Sequence, residues 1–188
     1  MQSPAGFTLL EAMVTLTISA VVGSMATAQM SDVRRSMESD GAMRLVMTEL
    51  NTARDMAMTQ RHNMEIQFIA GAGNSGNWVR TVRHEAPGVT TTVLRSVALE
   101  SHATFSLAPG VADTPDAFGA TAPVAFGIAQ TIMFSTDGML IDGSGNPLNG
   151  TVFLAIANQQ ASARAVTVLG ATGRVRGYKW FRGAWVRV

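Results

Sequence analysis

The chain has 188 residues, of which 47% are hydrophobic and only 14% charged, with a net charge of +1 and no cysteine. Soluble domains usually carry about 25% charge, so this composition suits a chain of which part lies in an apolar environment. The missing cysteine excludes disulfides and thiolate metal sites.

The net charge hides an asymmetry. Residues 143–188 hold Arg164, Arg174, Arg176, Lys179, Arg182 and Arg187 and no acid, so this part is +6 and residues 1–142 are −5. Separation of sign along a chain points to an anionic partner for the basic part.

Residues 1–6, MQSPAG, end in glycine and are expected to form a short leader. Residues 7–30, FTLLEAMVTLTISAVVGSMATAQM, carry one charge, Glu11. A helix over that range would span roughly 36 Å, enough for a bilayer core of about 30 Å. A cleavable secretory signal needs a basic start and a short apolar run. Here the start has no Lys or Arg, and the run is long with an acid at its front. A plain signal anchor accounts for the length but not for the glycine or for Glu11, and an ionisable group inside a membrane helix usually has a partner.

Residues 31–62 are expected to continue the helix in amphipathic form. Val33, Met37, Met43, Val46, Met47, Leu50, Ala53 and Ala57 recur mostly at spacings of three and four, with Arg44, Glu49, Arg54 and Asp55 between them. Ser39-Asp40-Gly41 is expected to loosen it, and Asn63 to stop it. The methionines read as core filler.

Residues 63–188 are expected to form a β-rich head. Strands are predicted over 64–70, 78–85, 90–97, 103–107, 131–135, 151–157, 164–169, 174–180 and 184–188. Residues 108–130 hold three of the six prolines and read as a long surface loop, and 142–150 read as a turn region. Helix first and then sequential strands implies an α+β fold, a long N-terminal helix packed on an antiparallel sheet.

Gly6 to Leu16, GFTLLEAMVTL, resembles the leader junction of type IV pilins and type II secretion pseudopilins. The resemblance implies that prepilin peptidase cuts after Gly6 and that Phe7 becomes the N-methylated terminus. It also implies that Glu11 pairs with the terminal amine of a neighbouring subunit during assembly, which is how a buried carboxylate is tolerated. The leader differs from the family's usual one in lacking Lys or Arg, so orientation follows from the resemblance and not from charge.

LNTARDMAMTQRHNMEIQF, TIMFSTDGMLIDGSGNPLNGTVFLAI and ARAVTVLGATGRVR extend the likeness to the GspH/FimT branch of minor pilins and pseudopilins, over nearly the whole chain in pieces. The resemblance implies a subunit of a type II secretion pseudopilus or a type IV pilus. It would be anchored once in the inner membrane with its head in the periplasm. Its partners would be other pilins or pseudopilins, prepilin peptidase and the inner-membrane assembly platform. Some members of that branch bind DNA for uptake through a basic Gly-Arg-x-Arg stretch, which Gly173-Arg174-Val175-Arg176 matches. DNA is therefore the alternative partner, with Arg174, Arg176, Lys179 and Arg182 as its candidate contacts.

Other chemistry is thinly supported. VTVLGATGRVRG, residues 166–177, has the glycines of a dinucleotide fingerprint but no room for the helix that must follow. The tail from Arg174 interleaves cations with Tyr178, Trp180, Phe181 and Trp185, a pattern that serves either phosphate and base contacts or a packed core with solvated arginines. On a strand, Arg174, Arg176, Tyr178 and Trp180 would share one face and Val175, Gly177, Lys179 and Phe181 the other. His62, His84 and His102 lack metal-ligand spacing. Asp137, Asp142 and Asn146 read as turn residues, not calcium ligands. No nucleophile or phosphate-cradling motif is present, so neither an enzymatic role, a cofactor nor a metal is expected.

Overall fold

The computed structural model describes residues 8–71, 76–86, 90–99, 102–127 and 131–188, with the side chains of all of these but 26–29 and 31–32. The chain divides into two compact units, the first ending at Arg35 and the second running from Ser36 to Val188. One helix, α1 (Leu9–Gln60), contributes to both. It continues as helix through Ser39-Asp40-Gly41, where loosening was expected. The reason is local anchoring: Ser39 is buried and Asp40 is ion-paired to the head. The helix ends at Gln60, and Arg61 turns the chain with φ 55°, just ahead of the predicted stop at Asn63.

In the second unit, Ala42, Met43, Val46, Leu50, Ala53 and Ala57 are fully buried, the stripe that the three-and-four spacing defines. Glu49 departs from the expected outward polar face. It is 3% exposed and pairs with Arg95 at 3.0 Å.

The strands are β1 (Met64–Ile69), β2 (Trp78–Ala86), β3 (Thr90–Ala98), β4 (Ala103–Phe105), β5 (Val124–Ala125), β6 (Ile132–Phe134), β7 (Leu140–Asp142), β8 (Gly150–Ile156), β9 (Arg164–Leu169), β10 (Arg174–Phe181) and β11 (Ala184–Arg187). They form two antiparallel sheets where one was expected. The first has the order β3-β2-β1-β6-β7, the second β11-β10-β9-β8-β4, with β5 also on β8. The fold is α+β, a helix packed on antiparallel sheets, as the type IV pilin-like layout requires. Its core joins the helix stripe to Met64, Ile66, Ile132, Phe134 and Leu140 of the first sheet and to Val152, Leu154, Val166 and Val168 of the second. Truncating Leu50 at its centre to alanine would cost about 2–5 kcal/mol.

Two differences from the predicted strands have clear causes. β7 escaped notice because it is short and runs into a turn. Asp142 Oδ1 accepts from the Ser144 and Asn146 amides at 2.8 and 2.9 Å, and these backbone bonds hold the carboxyl below its ordinary range. The 108–130 stretch is no mere surface loop. Ala108, Thr114, Ala125 and Phe126 are buried, β5 pairs with β8, and residues up to 120 cover the outer face of the second sheet.

Candidate functional site

The first candidate is the start of α1. Thr8 caps it: the Glu11 amide donates to Thr8 Oγ1 at 3.3 Å and the Ala12 amide to the Thr8 carbonyl at 3.1 Å. Thr8-Leu9-Leu10-Glu11 thus has the spacing of a capping box, and a carboxylate in the first turn also suits the positive end of the helix dipole. Thr15, Thr17 and Ser24 donate their hydroxyls to carbonyls three or four residues back, at 2.8–3.0 Å. Bonds of this kind leave little polar surface outward.

The surface that remains is apolar all round. Leu9, Leu10, Met13, Val14, Leu16, Ile18, Val21, Val22 and Met25 are all exposed, Leu9 by 79%. Glu11 is exposed among them. A helix apolar on every side is one that something else covers. Among the described residues, no helix is long and apolar enough to cross a membrane. The sequence-predicted span over 7–30 includes Phe7 and the side chains of 26–29, and Gly6 and Phe7 lie outside the described residues.

The second candidate is the basic C-terminal stretch. Gly173 caps a 3-10 turn (Gly170–Thr172) at φ 61°, and β10 follows, so no helix stands where a dinucleotide would need one. A side chain at Gly173 would run into the Gly138 carbonyl and the Arg54 side chain, whose Nε donates to that same carbonyl at 3.0 Å. The glycine of Gly-Arg-x-Arg is therefore required by backbone packing.

β10 alternates as expected. On its inner face, a side chain at Gly177 would meet the Met47 sulfur at 2.7 Å. On its outer face, Arg176 forms an ion pair with Asp116 from the covering segment. Asp116 Oδ2 also accepts from Thr167 at 2.6 Å and from the Tyr178 hydroxyl at 2.9 Å. Burial alone would raise the Asp116 carboxyl. The hydrogen bonds from Thr167 and Tyr178, with the Arg176 guanidinium, outweigh it and hold the group below its ordinary range. Burial and the same hydrogen bond push the Tyr178 phenol up.

The aromatics of this face are covered too. Trp180 and Trp185 meet edge to face at 5.2 Å and, with Val111, pack against the buried Ala108, Ala155 and Ala163; Trp185 Nε1 donates to the Ala112 carbonyl at 2.8 Å. The four cations proposed for DNA do not form one surface. Arg174 is exposed at one end of β10, Arg176 is held by Asp116, Lys179 belongs to the inner face, and Arg182 lies beyond the far end. Arg174 and Arg182 are roughly 26 Å apart along an extended strand.

Sequence reading missed the Asp116 hub, although an acid in a proline-rich segment opposite an all-basic tail was its available signal. It also missed Arg164, which is 2% exposed. Arg164 Nε donates to Asp40 at 2.6 Å, Nη2 to Ser36 Oγ at 2.9 Å and Nη1 to the Ala163 carbonyl at 3.0 Å. His84 lies 2.8 Å from Glu65, which also accepts from Gln67 Nε2, and His102 lies 3.4 Å from Glu38. Among the described residues no three potential ligands gather to hold a metal.

The fold and the apolar first segment define a class, the helix-plus-sheet subunits of type IV pilin-like architecture. A family model described as the prokaryotic N-terminal methylation motif matches residues 1–27. That match supports a type IV pilin-like subunit of the kind processed by prepilin peptidase. No curated protein and no solved structure matches the chain.

Proposed function

We propose that the chain is a minor pilin or pseudopilin of the GspH/FimT kind, made as a prepilin and assembled into a type II secretion pseudopilus or a type IV pilus. The observation that carries this is the methylation motif over residues 1–27, running into a helix with every large apolar side chain from Leu9 to Met25 exposed. Residues 7–30 hold the subunit in the inner membrane with the head in the periplasm. Prepilin peptidase cuts after Gly6, Phe7 is methylated, and the assembly platform moves the subunit into the fibre. Glu11 meets the freed amine of a neighbouring subunit, and the exposed apolar helix is covered first by lipid and then by other pilins.

Intact-mass measurement of the protein from its host tests the reading. Loss of residues 1–6 and gain of one methyl group on Phe7 is expected; retention of Met1, or loss of the whole apolar segment, refutes it. Glu11→Ala should leave membrane insertion intact and abolish incorporation into fibres, read by shearing and immunoblotting.

A further inference from the structure

The β10–β11 hairpin leaves a surface that the assignment above does not use. In register, Lys179 faces Val186 and Phe181 faces Ala184, so Lys179, Phe181, Ala184 and Val186 share one face. Phe181 is 53% exposed and Val186 41%. Arg182, in the turn at φ 51°, places its guanidinium carbon 5.1 Å from the centre of the Phe181 ring, and Lys179 Nζ lies 5.9 Å from it. An exposed aromatic between two cations, with an aliphatic neighbour, has the composition of groups that settle at a membrane–water interface.

Register also fixes which end of the head carries this surface. Gly177 lies against Met43 and Met47 of the helix. Two residues on, Lys179 pairs with Arg164, which reaches Asp40 and Ser36. Passing along β10 toward its tip therefore runs toward the first residue of the head, the end through which the chain enters. Only five residues of chain, 31–35, separate Met30, the end of the proposed span, from Ser36.

We propose that the tip of this hairpin docks on the anionic headgroups of the membrane while the subunit awaits assembly. Phe181 and Val186 sit among the headgroups, and Lys179 and Arg182 meet lipid phosphates. The proposal rests on residues 7–30 being in the bilayer. Charge favours lipid over a second protein surface: residues 143–188 contain no acid, and juxtamembrane cations are drawn to anionic leaflets.

The test uses the full chain in nanodiscs of phosphatidylcholine with or without phosphatidylglycerol. The chain has no cysteine, so Ala184→Cys places a single thiol on the docking face, and Ser96→Cys on β3 serves as control. With anionic lipid, maleimide labelling at 184 should slow about five-fold or more, the order expected of two cations at a charged surface. Lys179→Gln with Arg182→Gln should restore it, and labelling at 96 should not change. Equal rates at 184 with and without phosphatidylglycerol overturn the docking and leave the membrane anchor standing. Slowing that follows protein density and ignores lipid charge also overturns it, in favour of contact between subunits. Failure of the chain to enter nanodiscs at all overturns the anchor, and the docking with it.

Discussion

Asp116→Ala tests whether the covering segment is held by charge. The carboxylate accepts from three donors on the second sheet, Thr167, Tyr178 and Arg176. Hydrogen bonds to a charged group contribute roughly 1.5–3 kcal/mol each, and removing the acceptor leaves buried donors unsatisfied. The three share one carboxylate and do not add. The Arg176 side chain is 26% exposed and regains water, so its share is discounted. The expected loss is about 3 kcal/mol, or roughly 6–12 °C in Tm for a chain of this size.

Thermal unfolding of the full chain in mild nonionic detergent, followed by near-ultraviolet circular dichroism of Trp180 and Trp185, reads the unit in question. The folded pKa of Asp116 lies below its ordinary value of 3.8. Its contribution is therefore present above the unfolded pKa of about 3.9 and is lost as pH falls through the folded value. On passing from pH 7 to pH 3 the wild type should lose part of its advantage over Asp116→Ala, at most about 1.2 kcal/mol, and Asp116→Asn should show a smaller deficit at pH 7. A deficit equal at both pH values would mean that the segment is held by the apolar packing of Leu107, Ala108 and Val111 on the sheet, and that the carboxylate is incidental.

Other substitutions probe the head in the same assay. Arg164→Ala removes a buried cation and its packing, but the Asp40 carboxylate left behind is 35% exposed and regains water, so the loss should be about 2–3 kcal/mol; a loss under about 1 kcal/mol would show the pair to be dispensable. Gly173→Ala combines a left-handed backbone with backbone crowding at Gly138 and should destabilise by at least about 2 kcal/mol. Gly177→Ala meets only the flexible ends of Met43 and Met47 and should cost about half as much or less, so a reversed order would contradict the packing described.

Periodicity made much of the fold legible. The helix stripe from Met43 to Ala57 and nine of the eleven strands follow spacings visible in the residues. β5 and β7 did not: β5 is two residues inside the proline-rich stretch, and β7 is three residues that run into the turn held by Asp142. The division into two sheets was also out of reach, since strand order depends on which faces a helix can cover at once. Glu49 shows a related limit: an acid between apolar positions reads as solvent-facing until Arg95, from a distant strand, arrives to neutralise it. Of the candidate sites, Glu11 stands in the first turn of α1, and Gly6 lies outside the described residues. The fate of Arg176 was not legible in the sequence, because its partner lies sixty residues upstream in a segment without periodic structure.

The same limit bears on charge. Read along the chain, six cations with no acid call for an anion from outside. Folding supplies part of that anion from within. β9 carries Arg164 to Asp40 on the helix, and β10 carries Arg176 to Asp116. These two arginines spend their charge on closing the head at its inner and outer faces, and an external polyanion would have to compete with carboxylates already bonded. Among the described residues no ion pair joins Arg174, Lys179 or Arg182 to an acid, and two of these three stand together around Phe181 at the end where the chain enters. If the hairpin tip docks as proposed, lipid phosphate meets Lys179 and Arg182 there, while Arg174 of the Gly-Arg-x-Arg stretch stands exposed at the other end of β10.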